Sequence, residues 1–82
     1  MAKLIRVDGT TEEITDLTLA KMQIAVGGYI QIVPTPDGRL LVCDEEGKCK
    51  GKEVNPTADA IYNNPFDVIV GDVIIADNNE ID

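Results

Sequence analysis

Lys48, Lys50 and Lys52 occupy alternate positions and are the one local break in an otherwise negative chain. In an extended segment that spacing sets three ammonium groups on one face, where they could hold a small anion. Asn55, Tyr62 and Asn64 follow closely. Their amides and ring are the group types that read a base and ribose by hydrogen bonding and stacking. The plainer reading of the same stretch is a solvated lysine row beside Asp44, Glu45 and Glu46.

Other reactive residues do not assemble into a catalytic set. There is no histidine, and Cys43 and Cys49 lack a base partner, so nucleophilic catalysis has no supporting constellation. Two thiolates without further ligands do not make a zinc site, and no metal is expected. Asp44, Glu45 and Glu46 lack the alternating oxygen ligands and closing glutamate of a calcium loop. Asp67 and Asp72 are the only carboxylates embedded in apolar sequence. At five residues apart they need not face each other, and Asp72 reads better as an internal acceptor for a turn than as an acid or base. Gly27 and Gly28 lead into a strand, whereas a phosphate cradle leads into a helix N-terminus. No enzymatic activity and no cofactor are expected.

These residues must be positioned by short elements. Lys3–Val7 read as a strand that turns at Asp8 and Gly9 into a polar edge strand over Thr10–Thr15, with Ile14 inward. Asp16 is a candidate N-cap for a helix with Leu17, Ala20, Met22, Ile24, Ala25 and Val26 on its inner face, closed by Gly27. A period-two pattern over Tyr29–Asp44, broken at Pro36, Asp37 and Gly38, predicts a β-hairpin whose exposed tip should tolerate substitution. Asp44–Val54 reads as a loop or a ragged extended segment. Asn55 and Pro56 read as an N-cap and first position of a short helix over Thr57–Tyr62, stopped by Asn63, Asn64 and Pro65. Phe66–Ala76 is the most apolar stretch, a strand with a bulge or turn at Gly71 and Asp72. The order predicts an α+β fold: a mainly antiparallel β-sheet with one helix packed on a face and a second short helix. Residues 1–76 are expected to form a single α+β domain, and residues 77–82 an acidic flexible tail.

The chain has 82 residues, 44% of them apolar, but its only aromatic residues are Tyr29, Tyr62 and Phe66, so the core must be aliphatic and thin. A core of that kind is commonly supplemented by a second subunit, and a homo-oligomer, in particular a dimer, is expected. The formal charge of −8 disfavours direct nucleic-acid or membrane binding and suits a basic protein partner. No apolar run spans a bilayer and no signal peptide is evident, so a cytoplasmic protein with reduced thiols is expected.

Four segments carry a family resemblance: Val26, Gly27, Gly28, Tyr29, Ile30 and Gln31; Leu41–Lys48; Asn55–Ala58; and Gly71–Ile75. Over most of the chain they resemble the domain-of-unknown-function family 3846, small proteins of phages, plasmids and their bacterial hosts. In that family an asparagine is common where Asp44 stands, and a leucine is usual in the segment after Gly51. The resemblance implies a mobile-element accessory protein without catalysis, working in the bacterial host cytoplasm. One expectation that follows is a counter-defence protein that sequesters a small nucleotide signal between subunits, with Tyr29, Lys48, Lys50, Asn55, Tyr62 and Asn64 as ligand contacts. The alternatives are an acidic inhibitor of a host protein that mimics nucleic acid, and a structural or assembly component.

Overall fold

In the computed structural model, which describes residues 2–80, the strands alternate their side chains between two buried faces. The elements are β1 (Ala2–Ile5), β2 (Thr11–Ile14), α1 (Leu19–Val26), β3 (Ile30–Pro34), β4 (Arg39–Asp44), α2 (Pro56–Tyr62) and β5 (Val73–Asp77). The five strands form one antiparallel sheet in the order β2-β1-β5-β4-β3. This is the α+β arrangement read from the sequence, with β2 and β3 at the edges.

Alternation along β4 builds a core on each face of the sheet. Leu41 and Cys43 join Ile5, Val73, Ile75, Ile69 and Ala58 beneath α2. Val42 joins Ala2, Ile74, Ala76, Met22 and Val26 beneath α1. Each helix is therefore held by a separate aliphatic cluster, which suits elements too short to be stable alone in water.

The helix starts where a side chain can satisfy its first free N–H groups. For α1 that side chain is Thr18, not Asp16: Thr18 Oγ1 accepts from the Lys21 N–H, while Asp16, just before the helix, accepts from the Thr18 N–H. Met22 and Val26 are buried, but Ile24 is 80% exposed, so the inner face is narrower than the sequence pattern suggests. For α2 the expected Asn55 cap forms, with Pro56 in the first turn and Asn63 in the left-handed conformation at its end.

The largest departure lies in the apolar stretch after Pro65. Only Val73–Asp77 join the sheet. Phe66 is 96% exposed, and Val70 makes an isolated bridge to Val54. Gly71, with φ +76, reverses the chain at this point, a conformation that side chains with a Cβ resist. Asp72 then accepts from the Val7 N–H at 3.1 Å, the internal-acceptor role expected of it. At the C-terminal end, Asp77 closes β5 and its N–H donates to Glu80 at 2.9 Å. Residues 81 and 82 lie outside those described.

Candidate functional site

Residues 45–51 form consecutive turns rather than an extended segment. The Gly47 N–H donates to Asp44 O, the Lys50 N–H to Glu46 O and the Gly51 N–H to Lys48 O. The alternation of Lys48, Lys50 and Lys52 therefore does not set three ammonium groups on one face. Each of the three is instead drawn to a carboxylate.

Asp44, at the end of β4, is 5% exposed and receives two of them. The Nζ atoms of Lys50 and Lys52 each lie 2.8 Å from its Oδ2, and its Oδ1 accepts the Glu46 N–H at 2.9 Å. Burial alone would raise this carboxyl's pKa. The bonds from Lys50 and Lys52 outweigh burial and hold it well below the usual carboxylate range. Both lysines also donate to α1: Lys50 to Gly27 O at 3.1 Å and Lys52 to Val26 O. The last turn of α1 has no basic residue of its own, so the loop supplies cations to the negative end of the helix. Gly28 lies close beside this cluster: a Cβ there would sit 2.6 Å from Lys50 Nζ and 2.9 Å from Asp44 Oδ1, so one of them would have to shift.

A second group forms around Asp67. Lys48 Nζ bonds Asp67 Oδ1, Tyr62 Oη donates to Asp67 Oδ2 at 3.3 Å, and Asn64 Nδ2 donates to Tyr62 Oη at 3.2 Å. The Lys48 bond, followed by the Val68 N–H, lowers the pKa of Asp67, and Asp67 in turn raises that of Lys48. This group borders a cleft of ≈170 Å³ lined by Gln31, Val33, Cys43, Lys48, Asp67 and Val68, among others. The Cys43 thiol is buried there and its pKa is pushed up by desolvation, whereas Cys49 is exposed.

Of the six residues picked from the sequence, the fold therefore brings Lys48, Tyr62 and Asn64 together. Lys50 belongs to the Asp44 cluster instead. Tyr29 is 68% exposed, and its carbonyl accepts the Glu45 N–H at 2.9 Å. Asn55 is fully buried: its Nδ2 donates to Ile5 O and Gly71 O, both at 2.9 Å, and its Oδ1 caps α2. Both side-chain donors and one acceptor site are used in holding the frame, and the side chain is buried away from the surface. Asp44 and Asp67 organise both clusters and were not among the six. The signal available in the sequence was the presence of carboxylates near the lysines, without any indication of which would pair.

Five of the seven basic residues are engaged in this way: Arg6 with Glu12, Arg39 with Asp37, Lys48 with Asp67, and Lys50 and Lys52 with Asp44. Glu13, Asp16, Glu45, Glu46 and Glu53 are exposed and form no ion pair with a described lysine or arginine. Among the described residues no helix is long and apolar enough to cross a membrane.

No curated protein and no solved structure matches the chain. A family model described as a domain of unknown function (DUF3846) matches residues 1–82, the whole chain.

Proposed function

As the chain belongs to the DUF3846 family, we propose that it is a non-enzymatic accessory protein of mobile elements that binds a basic host protein and occupies a surface meant for a polyanion. The supporting observation is the charge arrangement. Five of the seven basic side chains form ion pairs within the molecule, while Glu13, Asp16, Glu45, Glu46 and Glu53 are exposed and form no ion pair with a described lysine or arginine. An unneutralised field of this sign steers and orients basic surfaces.

Sequestration of a small nucleotide is the second reading. It is favoured by the convergence of Lys48, Tyr62 and Asn64 on Asp67 beside the cleft. A phosphate entering there must displace Asp67 from Lys48, or Asp44 from Lys50, so its binding is opposed by bonds already made.

Salt separates the two readings. A basic partner captured at low salt, released at about 0.5 M salt where surface attraction is screened over a few Å, and lost on reversal of Glu45 and Glu46, supports the first. Capture that is indifferent to both salt and charge reversal sinks it. Heat on titration with cyclic dinucleotides, cyclic trinucleotides or cyclic ADP-ribose isomers supports the second reading, and flat traces for all of them remove it.

A further inference from the structure

The two edges of the sheet differ in kind. β2 has the sequence Thr11, Glu12, Glu13, Ile14, and its glutamates discourage another strand from pairing with it. β3 has the sequence Ile30, Gln31, Ile32, Val33, Pro34 and carries no charge. Ile32 on this edge is 41% exposed, and the flanking Tyr29 ring is 68% exposed.

The register determines which backbone groups this edge presents. In an antiparallel pair, residues alternate between those bonded to the partner strand and those whose N–H and C=O point away. The Thr35 N–H bonds Arg39 O at 2.8 Å and the Glu45 N–H bonds Tyr29 O at 2.9 Å, so residues 29, 31, 33 and 35 bond toward β4. Ile30, Ile32 and Pro34 therefore point outward. The edge offers N–H donors at Ile30 and Ile32 and carbonyl acceptors at Ile30, Ile32 and Pro34. Proline falls on an outward position, where its missing N–H breaks no bond to β4.

We propose that β3 is a self-association edge, pairing antiparallel with β3 of a second copy across a two-fold axis at Ile32 to give one continuous sheet. In that register Ile32 exchanges both bonds with its counterpart, and each Ile30 N–H meets the opposite Pro34 carbonyl. The pattern is self-complementary, as a two-fold interface requires. Charge selects the occupant. A basic protein is drawn to the exposed carboxylates elsewhere, whereas a second copy, equally acidic, meets the least charge repulsion along a neutral edge. The cleft containing Gln31 and Val33 opens on β3, so pairing brings two such clefts to either side of the axis. This proposal is independent of the choice of partner or ligand made above.

The test is sedimentation equilibrium of the full chain over a concentration series, with circular dichroism as a fold check. The wild-type chain is expected to approach twice its monomer mass of 8.9 kDa. Ile32→Pro removes an outward N–H but no bond to β4, and Ile32→Lys places a charge on the neutral edge. Both are expected to stay monomeric with an unchanged spectrum. If Ile32→Pro unfolds, Ile32→Lys alone decides. Native-state hydrogen exchange adds a local readout, with the Ile30 and Ile32 amides slowing as concentration rises. A wild-type chain that remains monomeric into the millimolar range overturns the proposal. So does a dimer that persists in the folded variants, or Ile30 and Ile32 amides whose exchange ignores concentration.

Discussion

Asn55 Nδ2 lies 2.9 Å from the Gly71 carbonyl oxygen, which ties the start of α2 to the turn that feeds β5. The same amide reaches Ile5 O at 2.9 Å, so one side chain joins β1, α2 and the entry to β5. Asn55→Ala is expected to destabilise the protein by about 2–4 kcal/mol, combining a lost cap with buried carbonyls left unpaired. Urea unfolding should show a lower midpoint at unchanged slope. A loss within about 0.5 kcal/mol, the range of an ordinary surface change, would contradict this assignment.

Acid should weaken the fold through Asp44. Its folded pKa is held below the ordinary 3.8, so the stabilisation is complete above about pH 4 and lost as the pH falls further. Asp44→Asn is expected to lower stability at pH 7 by about 2–4 kcal/mol, since Lys50 and Lys52 lose their shared counter-charge beside a buried group. The variant should also flatten the acid limb of a melting-temperature profile. A profile parallel to wild type between pH 2 and 5 would count against this.

Gly28→Ala introduces a Cβ 2.9 Å from a fixed carboxylate oxygen of Asp44. A cost of about 1–3 kcal/mol is expected, as for other overpacked sites. Because Asp44→Asn already disrupts the same cluster, the two changes together should cost less than their sum, which a double-mutant cycle measures.

The hydrogen bonds at the hairpin tip should make it less tolerant than its turn sequence suggests. Asp37 accepts from Arg39 Nε at 2.8 Å and from the Thr35 hydroxyl, and Thr35 is itself 6% exposed. Asp37→Ala should therefore lower the denaturation midpoint, whereas changes at the exposed Pro36 should stay within about 0.5 kcal/mol. Chemical denaturation of the two variants side by side distinguishes them. Equal effects would show that the tip network contributes nothing.

Charge reversal of Glu45 and Glu46 together is expected to weaken capture of a basic partner and reduce its salt dependence. Neither side chain forms an ion pair with a described lysine or arginine, so the melting temperature should change little. Unaltered capture would remove the charge-driven reading.

The features legible in the sequence are those governed by neighbouring residues. Asp8 and Gly9 mark the first turn, Pro36–Gly38 mark the hairpin, and Asn55 with Pro56 marks the start of α2, because turn and cap chemistry acts over three or four positions. Two acceptors compete at the start of α1, where Thr18 rather than Asp16 takes the cap because it sits three residues before the Lys21 N–H. Distant partners are harder to read. Nothing near Lys48 in the chain names Asp67, and nothing near Asn55 names Ile5 or Gly71. Phe66–Val70 look like strand by composition, yet the place beside β4 is taken by Val73–Asp77, and of the earlier residues Ile69 packs into the cluster beneath α2.

The strand order has a kinetic consequence. β5 occupies the centre of the sheet, between β1 and β4, and it is the last described element to leave the ribosome. Until it arrives, the β1–β2 and β3–β4 hairpins have no strand to join them, and both clusters lack their Val73–Ala76 side chains. The Leu4–Ile74 pairing spans nearly the whole chain, a high contact order that favours slow, late closure of the sheet. During synthesis the nascent chain therefore exposes the apolar side chains of β1 and β4 that β5 later covers, and this interval is when chaperone binding or mispairing between nascent chains would compete with folding.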